Sequence, residues 1–263
     1  MSLGQLLINT LIQAETPEVR RWSDFCERIG AEDNYYRHFS DIVHMYSEPG
    51  RFYHDLDHVM HCLDEFEEVR QTADYPHELE MALWLHDVIY VPVIGPKKFN
   101  LSKLLPHFMI SDESARQLAS SIKPKDMAGW LEDLTFPKDN EERSADFAYD
   151  IALKMNLPAT FAQLVHDYVM ATTHRGLSDI NDHRLIADID LAILGQPVDV
   201  FDRYEENIRK EYIIVPIQAY KKGRSDVLQG FLDRENIYQT EYFREKYKEQ
   251  ARDNLERSIN KLR

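Results

Sequence analysis

The spacing of its apolar residues is what most constrains this chain. In ELEMALWLHDVIY (78–90), NEERSADFAYDIALKM (140–155) and TFAQLVHDYVMATTH (160–174), apolar side chains recur at the interval that lines one face of an α-helix. Long β-branched alternations flanked by turn signals are missing, and there are nine glycines in 263 residues. RLIADIDLAILG (184–195) closes on Gly195, with Pro197 beyond it, a helix-stop signal. The stretch from Thr240 to Arg263 is charged, free of Gly and Pro, and helically patterned. Together these segments predict an all-α protein without internal repeats.

Residues 91–139 break the rhythm. They hold Pro92, Gly95, Pro96, Pro106, Pro124, Gly129 and Pro137, so they read as an inserted loop with one short helix, SDESARQLASSI (111–122), capped by Ser111. The insertion follows directly on the segment richest in chemistry, where it could serve as a lid. The expected organisation is a single domain over 1–263 interrupted by this segment.

Lys and Arg number 31 against 46 Asp and Glu, a formal net charge of −15. That balance argues against broad nucleic-acid binding, which needs clustered cations, but small anions can bind where a local cation or a metal reverses the field. No apolar run approaches the roughly 20 residues that span a bilayer. MSLGQLLINTLIQAETPEVRRW (1–22) lacks the basic start, long apolar run and cleavage site of a signal peptide, and reads as an amphipathic helix. These features predict a cytoplasmic protein without membrane attachment. The two cysteines, Cys26 and Cys62, exclude a disulfide framework and read as small buried thiols.

The histidines matter by position. RFYHDLDHVMHCL (51–63) spaces His54, His58 and His61 so that one helix face could present all three. His86–Asp87 then lies among Leu83, Trp84, Leu85, Val88 and Ile89. A buried His beside a buried Asp is costly unless both are hydrogen-bonded or coordinated, and a metal ion meets that demand. Asp188 and Asp190 follow in another apolar setting. On one helix they point about 200° apart, so one of them faces any shared site.

The ordered series of these motifs resembles the HD-domain superfamily of metal-dependent phosphohydrolases, and within it a bacterial branch of predicted metal-dependent HD phosphohydrolases. The likeness rests on R-x-Y-H-x-x-x-H (51–58), HDVIY (86–90), NEERSA (140–145), ATTH (171–174), DIDLAILG (188–195), Y-x-x-x-I-R-x-E-Y (204–212) and G-R-x-x-V-L (223–228). It implies an HD-type helical bundle and a metal held by His58, His86, Asp87 and Asp190. Asp188 would act behind them or as the alternative ligand. The family pattern passes quickly from HDVIY to NEERSA, whereas here 91–139 intervenes.

Two imidazoles and two carboxylates suit Mn²⁺, Fe²⁺, Co²⁺, Ni²⁺ or Zn²⁺. Such an ion would activate a water against a small phosphate-containing substrate, a nucleotide or other phosphate ester. His54, Glu141 and His174 are the candidate catalytic groups: His54 and His174 as proton donors, Glu141 to orient water or a ligating His. Arg51, Tyr53, Arg209, Tyr212 and Arg224 are the candidate substrate-binding residues. Two other readings compete: an HD-type di-iron oxygenase using His54 and His174 as further ligands, and a non-catalytic module that binds a metal or nucleotide. Homo-oligomerisation stays open.

Overall fold

The computed structural model describes residues 16–31, 35–91 and 140–263. The expected lid (all of 91–139 but Val91), the 111–122 helix within it and most of the amphipathic 1–22 segment lie outside those residues. Every regular element among the described residues is a helix, so the protein is all-α. Two compact units can be distinguished. One takes in the described residues up to Tyr90 and from Asn140 to Asp190; the other holds Val91 and Leu191–Arg263.

In the first unit, α1 (Pro17–Arg28) opens on a proline, whose missing N–H costs nothing at a helix start, and buries Val19, Trp22, Phe25 and Cys26 along one stripe. α2 (Tyr35–Tyr46) buries Phe39, Ile42, Val43 and Tyr46 at the same interval. α3 (Leu56–Val69) begins at Asp55, whose carboxylate accepts from the backbone N–H groups of Asp57 (3.1 Å) and His58 (3.2 Å).

α4 (Pro76–Leu85) is the hub. Leu79 through Leu85 are all buried, because α3, α5 (Asn140–Lys154), α6 (Ala159–Ala171) and α7 (Asn181–Asp190) all pack around it. Trp84 also meets the rings of Trp22 and Phe39 edge-on, at 5.3 and 6.3 Å between centroids. Two charges are buried here with full compensation. Glu80 takes hydrogen bonds from Arg28 (2.7 and 2.8 Å) and Arg70 (2.8 Å). Asp182 accepts from the Asp74 and Tyr75 backbone N–H groups (2.8 Å each) and from the Tyr168 hydroxyl (3.0 Å).

The periodicity of 78–90 predicts a helix through Tyr90, but α4 ends at Leu85. Tertiary partners replace the helical bonds of the next residues. Arg51 donates to the Asp87 and Val88 carbonyls (2.6 and 2.7 Å), and the Ser144 hydroxyl pairs with both the N–H and the C=O of Ile89. His86 and Asp87 are thereby displayed on a turn.

In the second unit a 3-10 segment, Leu191–Gly195, packs against α8 (Val198–Glu211) and α10 (Glu241–Leu262), and α9 (Ile217–Leu232) also packs on α10. Asn254 fastens the segment by donating to the carbonyls of Leu194 (2.9 Å) and Gln196 (2.8 Å). Gly195 is required for closeness rather than for a left-handed cap: a Cβ there would fall 2.6 Å from Tyr247 Cγ.

Candidate metal centre

The Asp55 cap and the turn after α4 bring two imidazoles face to face. His58 Nε2 lies 3.1 Å from His86 Nε2, and both rings are buried. Asp87 Oδ2 stands 3.5 and 3.3 Å from these two nitrogens, and Asp190 Oδ1, from the last residue of α7, 3.2 and 3.5 Å. Cys62, one turn after His58 on α3, places Sγ 3.7 Å from both ring nitrogens of His58. His58, Cys62, His86 and Asp190 each offer a ligand atom, all within 4.8 Å of one another, and this buried group could hold a metal ion.

The fit can be tested on the donors themselves. His86 Nδ1 lies 2.9 Å from the Leu83 carbonyl, which can only accept, so Nδ1 carries a proton and a neutral His86 presents its lone pair at Nε2. His58 Nε2 points at that same lone pair. Two facing imidazole nitrogens need either a proton or a cation between them. Ligands about 2.0–2.2 Å from a common ion lie about 3.0–3.6 Å apart, which matches the nitrogen–nitrogen and nitrogen–oxygen separations here.

The electrostatics agree. Burial depresses the His58 imidazole, but Cys62, Tyr53 and the Asp190 and Asp87 carboxylates reverse this and hold it well above the ordinary imidazole value. Burial likewise opposes the His86 cation, and Asp87 and Asp190 prevail. Asp87 and Asp190 are each pushed up by burial, yet the neighbouring histidines hold both well below the usual carboxylate range. Two partly buried carboxylates therefore recruit positive charge onto the imidazoles. A divalent ion would supply that charge and leave the rings neutral to ligate.

His174 Nε2 bonds Asp190 Oδ2 at 2.8 Å, behind the ligand oxygen. Asp188 is buried on α7, while it is Asp190 that faces the two histidines. His54 does not share a helix face with His58 as its spacing predicts. Asp55 starts α3 at Leu56, so His54 precedes the helix, stacked on Tyr90 (4.0 Å), beside Tyr53 (4.9 Å) and 6.0 Å from the His58 ring. The Tyr53 ring lies 4.7 Å from that of His58.

Arg51 grips the backbone, donating to the carbonyls of His54, Asp87 and Val88. Glu141 is half-buried one turn before Ser144, which holds Ile89. Arg209, Tyr212 and Arg224 belong to the second unit. There Arg209 donates to the Tyr212 and Val215 carbonyls (2.6 and 3.1 Å) and covers the Tyr220 ring. Arg224 pairs with Glu205 and donates to the Tyr204 hydroxyl (2.6 Å).

Sequence reasoning missed Cys62 as a member of the cluster. The signal was available: Cys62 follows His58 by four positions, one helical turn. No protein-family model, curated protein or solved structure matches the chain. Among the described residues no helix is long and apolar enough to cross a membrane.

Proposed function

We propose that the first unit carries an HD-type metal centre, held by His58, His86, Asp87 and Asp190, that hydrolyses a small phosphate ester. The observation that carries this reading is the buried Nε2–Nε2 contact flanked by two carboxylates. When bound, a divalent ion such as Mn²⁺, Fe²⁺, Co²⁺, Ni²⁺ or Zn²⁺ supplies a water of lowered pKa and polarises a phosphoryl oxygen.

The protein's own residues do the rest. Leu83 fixes the His86 tautomer through Nδ1–H, so that Nε2 is the ligand atom. Arg51 fixes the turn that presents His86 and Asp87, which makes it a positioning residue. His174 holds one oxygen of Asp190 and leaves the other for the centre. His54, stacked on Tyr90 and edge-on to Tyr53, is the group that would hand a proton to the leaving oxygen.

The test is Mn²⁺-dependent phosphatase and phosphodiesterase activity of the wild type beside Asp87→Ala and Asp190→Ala, with metal content measured on each. Hydrolysis in the wild type, lost in both variants, is the expected result. Bound metal with no hydrolysis sinks the hydrolase and leaves a binding module. Two irons per chain with dioxygen consumption would select the di-iron oxygenase, for which His174 against Asp190 provides a further ligand position.

A further inference from the structure

We propose that Ser144 is a positioning residue for the metal centre: its buried hydroxyl holds Ile89 and so fixes the backbone that carries Asp87. The proposal rests on the metal-centre reading above and adds what keeps Asp87 at ligand distance.

Beyond Leu85 no helical ladder sets the course of the chain. Had α4 continued, the Leu85 carbonyl would take the Ile89 N–H, four residues on. It takes the Val88 N–H instead, at 3.2 Å. Ile89 then has an N–H and a C=O to satisfy, and one hydroxyl can serve both. Ser144 Oγ accepts from the N–H (3.1 Å) and donates to the C=O (3.2 Å). Ser144 is fully buried on α5, which packs against α4, so bulk water does not replace these bonds when the hydroxyl is removed.

Asp87 thus lies between two clasps. Arg51 holds its carbonyl and that of Val88, and Ser144 holds Ile89. The His86 ring is anchored separately, at the Leu83 carbonyl. The Asp87 carboxylate stands 3.3 Å from His86 Nε2 and 3.5 Å from His58 Nε2. A single methylene joins that carboxylate to the backbone, so a shift of the turn is a shift of the ligand oxygen. Ser144 therefore acts on the centre through Asp87, and its effect should vanish when Asp87 is gone.

The experiment is titration of metal-free protein with Mn²⁺, read from the paramagnetic resonance of the free ion. Ser144→Ala should bind Mn²⁺ ~10-fold more weakly than the wild type. Ser144→Cys, which fills the same space but bonds weakly, should do the same, and it keeps the comparison decidable where Ser144→Ala fails to fold. Asp182→Ala, destabilised away from this turn, should bind as the wild type does. In the Asp87→Ala background, Ser144→Ala should weaken binding no further. Wild-type affinity in both Ser144 variants overturns the proposal, as does a further ~10-fold loss on top of Asp87→Ala, and either result leaves the metal centre standing. A wild type that does not bind Mn²⁺ overturns both.

Discussion

Asp190 divides its carboxylate between two histidines: Oδ2 lies 2.8 Å from His174 Nε2, and Oδ1 lies 3.2 Å from His58 Nε2. His174 does this from a backbone with φ of 53°, in the left-handed region that side chains other than glycine seldom adopt. A strained residue aimed at a partly buried carboxylate is the pattern expected where geometry serves a site.

Replacing His174 separates these two terms. His174→Ala and His174→Gly should both weaken metal binding by ~10–100-fold, the usual effect of losing a group that orients a ligand. Stability should distinguish them. His174→Gly relieves the backbone cost and should unfold at higher denaturant than His174→Ala, by about 1 kcal/mol. Chelator-treated protein in a urea titration gives the comparison; equal midpoints would mean that the backbone is unstrained.

Asp182 should be a stability residue with no part in metal binding. Its carboxylate joins the start of α7 to the Asp74–Tyr75 backbone and to Tyr168. Asp182→Ala leaves the Asp74 and Tyr75 N–H groups and the Tyr168 hydroxyl without their acceptor and should cost about 3 kcal/mol. Metal stoichiometry of the folded fraction should be unchanged. A loss below 1 kcal/mol would mean that water replaces the carboxylate.

Two glycines should respond with opposite signs. Gly195→Ala drives a Cβ against Tyr247 and should destabilise by about 1–3 kcal/mol. Gly223, inside α9, has open space where a Cβ would go, and Gly223→Ala should stabilise by about 0.5–1 kcal/mol through helix propensity. Thermal unfolding of the two variants reads both signs directly.

Cys26 should resist alkylation. Burial and the Glu80 carboxylate push its thiol up to about 12, against a smaller opposing pull from Arg28. The folded state thus keeps the proton where the unfolded chain releases it. The stability held by the neutral thiol is complete below the ordinary value of 9.0 and is lost as pH rises from there toward about 12. Iodoacetamide at about pH 9 should modify Cys26 in denaturant and spare it in the native protein; rapid native labelling would show that the thiol is exposed.

The helices were largely legible from periodicity. The 140–155 pattern became Asn140–Lys154, 160–174 became Ala159–Ala171, and the charged tail became Glu241–Leu262. The His and Asp residues that meet at the centre could be picked out because a buried imidazole or carboxylate among Leu, Trp and Ile demands a partner. Their meeting could not. His58, His86 and Asp190 come from three elements, and only the packing of α3 and α7 around α4 brings them within 3.5 Å.

The sequence by itself therefore determined an all-helical chain and the residue types able to hold a cation, because apolar spacing and side-chain chemistry are local properties. Tertiary structure decided where the helices stop and what each polar group faces. α4 ends at Leu85 because Arg51 and Ser144, distant in the chain, take up the backbone groups beyond it. α3 starts too late to include His54 because Asp55 caps it. Gly195, read as a helix stop, owes its identity to Tyr247, more than fifty residues away. In each case a hydrogen bond or a contact between segments far apart in sequence outweighs local propensity, and no local pattern encodes such a partner.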